Sequence, residues 1–394
     1  FGPHLLVTGS KLADVGNNKR NKTGASLSLH GVQVATINDN EFVDSPPLKV
    51  WQSVGEPVTR ITENQFVDTP GPVVENGPAM LSGNVMVHSE STPQPHQPAD
   101  GNSTYPRLLI SKAEIAMINA AGELPVPFAR SMKQACNRVE PFIEELPDIP
   151  VPRNAGGGYT HEQHKRNQAT IYEAGLLYQL TGDSRYADVS ARMLKAYAQL
   201  YPGLGEHPEK KEQSPGRLFW QSLNEAVWLV FAIQGYDAIY ESLDPASRDE
   251  IESGLFRPMA SFLSVESPQT FDRIHNHGTW AAAAVGLTGY VLDDRDMVEQ
   301  ALLGLSKDGE AGFIKQLEQL FSPDGYYTEG PYYQRYALMP FVLFAEVIER
   351  NEPQRMIYAF RDGILLKAIE ATIHLSYAGL FFPINDAIKD KGLD

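Results

Sequence analysis

Cysteine is nearly missing from this chain: Cys136 stands alone among 394 residues. One thiol rules out an internal disulfide framework and is compatible with any compartment. Metal-ligand spacing is missing too. In His161-Glu162-Gln163-His164 the imidazoles fall at i and i+3, not the i and i+4 of a metalloprotease helix, and no third ligand accompanies them. Polar residues on the first turn of a helix are the favoured reading. The other is contact with an acidic substrate, helped by Lys165 and Arg166. Gly156-Gly157-Gly158 lacks the lysine and the strand of a phosphate loop. The absence of a Gly-x-Ser-x-Gly elbow argues against an α/β-hydrolase. No apolar run reaches the roughly 18 residues that span a bilayer. Basic residues are outnumbered, 33 Lys and Arg against 49 Asp and Glu, for a formal charge of −16. That balance argues against a nucleic-acid partner, and a polyanionic substrate would need a local cationic or hydrogen-bonding cleft. No signal peptide opens at Phe1, so a leader was either removed or never there, and the mid-phrase start reads as a processed chain.

Residues 1–104 are rich in Gly, Pro, Asn, Ser, Thr and Val. Short alternating runs, Val32–Ile37 and Leu48–Val54, are broken by turn residues. Asn40-Glu41-Phe42-Val43-Asp44-Ser45-Pro46 recurs 24 residues later as Asn64-Gln65-Phe66-Val67-Asp68-Thr69-Pro70. Two copies are too few for a solenoid, so the expectation is a small, irregular β-rich segment closed by the polar, proline-bearing linker Ser89–Thr104. Asn21-Lys22-Thr23 and Asn102-Ser103-Thr104 fit a glycosylation pattern that also arises by chance.

Residues 105–394 read as helical. Ser111 with Glu114 forms a capping box, Gly182 ends one helix, Asp183 or Ser184 caps the next, and Asp244-Pro245 starts another. About ten helices follow one another with short Gly/Asp turns and almost no strand signal. Ala226–Ile239 and Thr279–Tyr290 are apolar nearly all round and must be covered on more than one face. A layer of helix hairpins wrapped into a ring, an α/α toroid, meets that need; a helical solenoid is the other option, but no fixed repeat length is visible.

Two dense polar patches stand out. In Arg273-Ile274-His275-Asn276-His277-Gly278-Thr279-Trp280 an amide sits between two imidazoles at the mouth of an apolar helix, where backbone N–H groups favour an anion. Asp324–Tyr336 brings Tyr326, Tyr327, Tyr332, Tyr333 and Tyr336, with Arg335. Gln221 and Asn224 lie one turn apart, and with Trp220 and Trp228 they would either line a sugar cleft or satisfy a core. Asp324, Glu329 and Glu225 are candidates for the paired carboxylates of glycoside hydrolysis, although nothing sets two of them at the required separation. Asn276, His277 and a tyrosine suit β-elimination from a uronic acid instead. Amide and imidazole neutralise the carboxylate beside C5, a base takes the C5 proton, and an acid protonates the leaving 4-oxygen. A phenol serves either role when a cation lowers its pKa, and Arg335 is close in sequence to Tyr333. No metal is called for.

Arg273–Trp280, Ser322–Tyr336, Gly156–Lys165 and Leu218–Trp228 resemble polysaccharide lyase family 17, the oligoalginate lyases of the heparinase II/III-like superfamily, over roughly Tyr105 to the C-terminus. The resemblance implies an α/α toroid followed by a large antiparallel β-sheet domain. It implies exolytic cleavage of alginate oligosaccharides with mannuronate preference and unsaturated monomers as products. Asn276 and His277 would neutralise the carboxylate, and Tyr333 would be the acid, in one version also the base. Gln221, Asn224, His275, Arg335 and Tyr336 would bind substrate. The family's β-sheet domain adds a tyrosine and a histidine to the cleft and often a structural zinc; the sequence stops at Asp394 before it. A C-terminal β-sheet fragment of the same enzyme is therefore an expected partner, no cofactor is expected for catalysis, and the expected location is periplasmic or secreted. A lyase acting on another uronic-acid polysaccharide and a catalytically inactive carbohydrate-binding toroid are the alternatives.

Overall fold

A computed structural model describes residues 4–13, 15, 24–52, 57–87, 105–120, 125–386, 388 and 391–392. Both glycosylation-pattern sites and the linker at 89–104 lie outside these residues. The chain divides into two compact units, Phe1–Gly101 and Asn102–Asp394.

The first unit departs from the expected irregular segment: it is a regular parallel β-helix. Its eleven described strands are β1 (His4–Thr8), β2 (Lys11–Ala13), β3 (Ser28–His30), β4 (Val34–Asn38), β5 (Glu41–Val43), β6 (Lys49–Trp51), β7 (Val58–Thr62), β8 (Gln65–Val67), β9 (Val73–Asn76), β10 (Ala79–Ser82) and β11 (Val85–Val87). Successive strands visit three parallel sheets in turn, β1-β4-β7-β10, β2-β5-β8-β11 and β3-β6-β9. The 24-residue echo is one coil, pairing Phe42 with Phe66 and Ile37 with Ile61. Inward side chains stack into a narrow core, where the rings of Phe42 and Phe66 lie parallel with centroids 5.0 Å apart. At one corner Gly9, Asp39, Glu63 and Gly83 all take positive φ, the turn that sends the chain from the first sheet to the second. The next residue at three of these corners is asparagine, and the three amides form a ladder. Asn40 Nδ2 donates to Asn64 Oδ1 and Asn64 Nδ2 to Asn84 Oδ1, both at 2.9 Å. Each Oδ1 also accepts a backbone N–H of the preceding coil, so these buried amides are satisfied. In the last described coil, inward residues Val74, Leu81 and Met86 are exposed among the described residues.

The second unit is mainly helical, as expected. Its helices are α1 (Lys112–Ala120), α2 (Val126–Val139), α3 (Tyr159–Thr181), α4 (Ser184–Leu200), α5 (Ser222–Ile239), α6 (Pro245–Ile251), α7 (Arg257–Leu263), α8 (Pro268–Phe271), α9 (Asn276–Val291), α10 (Arg295–Leu303), α11 (Gly312–Gln319), α12 (Pro331–Asn351) and α13 (Phe360–His374). A short hairpin, β12 (Ser376–Tyr377) and β13 (Leu380–Phe381), follows. The start signals act as read. Ser111 and Glu114 exchange capping-box hydrogen bonds, and Asp183, Asp244 and Asp294 accept backbone N–H groups in the first turns of α4, α6 and α10. The helix started by Asp244-Pro245 runs on through α6 and α7 with a π turn, Glu252–Phe256, between them. Gly254 lies in that turn, where a Cβ would stand 2.7 Å from the Ala198 carbonyl of α4.

Helices α3, α5, α9 and α12 pack side by side in that order, while α2 and α4 cover α3, α10 covers α9 and α13 covers α12. This explains the all-round apolar pattern of α5 and α9: each is flanked by inner neighbours and backed by an outer helix. The α3–α5 crossing is set by Gly175 and Gly235. A Cβ on Gly235 would stand 2.6 Å from the Ile171 carbonyl oxygen, and one on Gly175 2.7 Å from that of Gly235. Gly235→Ala is expected to lose about 1–3 kcal/mol, because a backbone clash outweighs the roughly 1 kcal/mol alanine gains in helix propensity. Urea unfolding followed by the helical circular-dichroism signal checks this against Gly203→Ala, whose new methyl meets nothing within 4 Å; equal midpoints for the two variants would show the crossing is not tight.

Candidate active site

The N-terminal ends of α3, α5, α9 and α12 gather at one end of the helical unit. Trp228 of α5 donates its indole N–H to the His164 carbonyl of α3 at 3.1 Å, and Phe219, just before α5, lies edge-on to His161. Glu329, just before α12, bonds to the first residues of α9, and one turn further in the rings of Trp280 and Tyr336 meet at 5.4 Å. Helix starts expose N–H groups and the positive end of the macrodipole, so their convergence favours a bound anion.

At the start of α9, His275 is the N-cap: its Nδ1 accepts the His277 backbone N–H at 3.4 Å, and its Nε2 faces Glu329 Oε1 at 3.1 Å. Asn276 Nδ2 donates to Glu329 Oε2 at 2.9 Å. Asn276 is 7% exposed, and its Oδ1 is buried with no partner among the described residues. A carboxylate only accepts, so Glu329 fixes which end of the amide faces it. The hydrogen bond from His275, then that from Asn276, holds the Glu329 carboxyl below its usual range. Burial, followed by the positive fields of Lys211 and Arg273, lowers His277 to about 4, so its imidazole is neutral at pH 7.

At the start of α12, Tyr332 and Tyr333 pack edge to face with centroids 5.1 Å apart, both half-buried. The Arg335 guanidinium lies over the Tyr332 ring at 4.7 Å, so the cation read as a neighbour of Tyr333 is stacked on Tyr332. Burial pushes the Tyr336 phenol up to about 12. Tyr327 is buried beneath this turn and Tyr326 receives the Asn385 amide, so two of the five tyrosines serve packing and anchoring.

At the start of α5, Gln221 is not part of the helix but its extended N-cap, and its side chain meets Lys211 Nζ at 3.5 Å. Asn224 is half-buried with Oδ1 unpartnered among the described residues. Trp220 is half-buried beneath the Lys211 ammonium. Trp228 belongs to the core: it is fully buried against Tyr197, which removes it from the expected cleft.

Glu225 and Glu329 are both engaged, which leaves the hydrolase pairing without support. Glu225 is fully buried and accepts from Tyr201 Oη (2.6 Å), Arg217 N (2.8 Å) and Leu218 N (3.2 Å), tying down the loop that carries Lys211 and Gln221. Asp324 is held by the Ser322 hydroxyl. His164 is wholly buried, its Nδ1 at 2.8 Å from Tyr197 Oη, and burial lowers it to about 4. Among the described residues no three His, Cys, Asp or Glu side chains are grouped to hold a metal ion. No helix among them is long and apolar enough to cross a membrane.

Sequence reasoning missed two contributors. Lys211 lies in the irregular stretch before α5, where no motif marks it, and Glu329 stands out in sequence only as a candidate hydrolytic acid. Its hydrogen bond to Asn276 spans 53 residues of sequence, and no local pattern reveals such a contact.

A family model described as alginate lyase matches residues 127–376. The chain is 59% identical over 310 residues to the exo-oligoalginate lyase of Saccharophagus degradans, covering 79% of this chain and 41% of that protein. It is 56% identical over 287 residues to the alginate lyase of Stenotrophomonas maltophilia, covering 73% and 38%. The chain thus spans about two fifths of the length of these curated relatives. Among solved structures, an alginate lyase from Bacteroides ovatus shares the helical fold, with a TM-score of 0.52 at 12% identity over 69% of this chain and 83% of that one.

Proposed function

This chain belongs to the alginate lyase family, and on that footing we propose that it is the helical part of an oligoalginate lyase of polysaccharide lyase family 17, releasing unsaturated uronate from the ends of mannuronate-rich alginate oligosaccharides. The observation that carries this reading is the start of α9, where Asn276 is held by Glu329 beside a His277 imidazole kept neutral at pH 7. In the proposed mechanism the substrate carboxylate sits against Asn276 and His277, whose polar groups take up charge as the C5 proton leaves. Tyr333 takes the C5 proton, the C5–H electrons form the C4–C5 double bond as the C4–O4 bond breaks, and Tyr333 hands the proton on to the departing oxygen. Neutral His277 donates without bringing a mobile charge of its own. Gln221, Asn224, Arg335 and Tyr336 would bind the sugars, with His275 acting from behind Asn276.

The side-by-side order of α3, α5, α9 and α12, each backed by outer helices, supports an α/α toroid. Leu366, Ile369 and Ile373 form an exposed apolar stripe on α13, continued by Tyr377, Leu380 and Phe382. Such a surface suits the C-terminal β-sheet part of the same enzyme as partner. The proposed chemistry needs amide, imidazole and phenol alone, and a structural zinc would belong to that other part. A polyanionic oligosaccharide does not cross a lipid bilayer unaided, which favours a place in the periplasm or outside the cell.

The test is ultraviolet absorbance of the conjugated double bond when this chain, with and without the C-terminal part, meets short mannuronate oligomers. A rise is expected. Turnover only on a heparin-type polymer would transfer the reading to another uronate. Oligosaccharide binding with no absorbance in either case would leave a carbohydrate-binding protein.

A further inference from the structure

Among the described residues, Glu329 is the acid that joins the two polar patches. It precedes α12 by two residues, yet its carboxylate spans the first two residues of the α9 start, meeting His275 Nε2 at 3.1 Å and Asn276 Nδ2 at 2.9 Å. Both partners must act as donors, because a carboxylate has no hydrogen to give. The same contacts point to one tautomer for the His275 ring. With Nε2 carrying the hydrogen, Nδ1 keeps its lone pair and accepts the His277 backbone N–H, as the cap geometry requires. One carboxylate therefore orients the Asn276 amide, selects the His275 tautomer and, through His275, caps the turn that carries His277.

The strap holding Glu329 is itself fixed. Tyr327, two residues earlier, is buried and bridges to Phe321. Gly330, directly after Glu329, takes φ +91°, and a Cβ there would stand 2.5 Å from the Ile384 carbonyl. Asn385 Nδ2 donates to Thr328 O at 3.1 Å, and Asp386 N donates to Glu329 O at 3.3 Å. Glu329 is thus clamped by its own neighbours while its side chain clamps α9, so the α9 start and Tyr333, four residues beyond Glu329, are held in one frame.

We propose that Glu329 is a positioning residue for elimination, aligning the Asn276 amide with the substrate carboxylate through its hydrogen bond and acting on His277 through the His275 cap. The proposal rests on the lyase reading. Glu329→Gln is the informative change: a carboxamide keeps the size but can also donate, so Asn276 is free to turn its Oδ1 toward position 329. Removal of an enforced alignment costs on the order of 100-fold in rate. Glu329→Gln is therefore expected to lower kcat about 100-fold with KM within a few-fold, and Glu329→Asp to recover part of the rate because it can still only accept. Both variants should unfold at temperatures close to the parent.

A second readout needs no substrate. Nitrogen-15 imidazole spectra at neutral pH should show His275 as the Nε2–H tautomer in the parent and a mixture in Glu329→Gln. Full kcat in Glu329→Gln, or an Nδ1–H tautomer in the parent, would overturn the proposal. Equal loss of activity and of melting temperature in both variants would reduce Glu329 to a structural residue and overturn it too. If the parent protein gives no unsaturated product while the tautomer result holds, the lyase reading fails and the positioning geometry stands.

Discussion

Tyr333→Phe lowers kcat by about 10²–10⁴-fold and leaves KM for mannuronate oligomers within a few-fold: this is the expected result with the largest catalytic effect. The substitution removes one oxygen and nothing else. The ring is half-buried, packs edge-on to Tyr332, and contributes to the core under α12, and all of that survives in phenylalanine. The hydroxyl makes no hydrogen bond within the described residues, so its loss strands no partner. If Tyr333 takes the C5 proton and delivers it to the leaving oxygen, its absence is felt only in the elimination step, which leaves ground-state binding intact. Steady-state kinetics of unsaturated-uronate release, with calorimetric binding of a trisaccharide, separates the two quantities. Retained turnover would take Tyr333 out of the acid role; lost binding with lost turnover would make it a sugar contact.

The largest stability effect is expected at Glu225. Its carboxyl is fully buried and receives the Tyr201 hydroxyl and two backbone N–H groups, yet burial outweighs these donors and raises it to about 7. Glu225→Ala strands a buried phenol and two N–H groups, at about 3–5 kcal/mol together. The pH dependence follows from the direction of the shift. The folded carboxyl has the higher pKa, so the unfolded chain ionises first, from about 4.5, while the folded protein keeps its proton. Stability therefore falls as pH rises through the window from about 4.5 to 7, by about 3 kcal/mol for this group, and levels off above it. Asp237, raised by burial to about 6, adds a slope of the same sign at slightly lower pH. Glu225→Gln isolates the Glu225 part, since an amide does not titrate. Urea unfolding from pH 4 to 8 should show a shallower decline in Glu225→Gln than in the parent, and parallel curves would mean the carboxyl titrates alike in both states.

Much of the helical unit is legible because its start signals are local. Ser111-Lys112-Ala113-Glu114 and the aspartates at 183, 244 and 294 act through hydrogen bonds two or three residues long. The β-helix was not legible, because its coils differ in length. Phe42 pairs with Phe66 at 24 residues, but Leu12 pairs with Phe42 at 30 and Phe66 with Met86 at 20. The recurring element is a positive-φ residue, then Asn or Ser, then a short strand: Gly9-Ser10, Asp39-Asn40, Glu63-Asn64 and Gly83-Asn84. A search at one fixed period finds only the central pair.

The candidate site was legible by composition and not by geometry. Asn276, His277 and Tyr333 stand out because amide, imidazole and phenol crowd the starts of apolar helices. Arg335 was adjacent to Tyr333 on paper, but side chains two apart on a helix diverge, and its guanidinium found Tyr332. Trp228 looked like a sugar platform only because burial cannot be read from an aromatic on a helix that is apolar all round.

The asparagine ladder has an evolutionary consequence. The interior rungs, Asn40 and Asn64, are complete with the coil before and the coil after, so a duplication or deletion of one whole turn leaves the surviving rungs chemically unchanged and merely relocates the end. Coils of unequal length already coexist, which means surplus residues are absorbed in the corners away from the rungs. The N-terminal unit can therefore lengthen or shorten among descendants in whole steps, each one neutral for the rest of the stack.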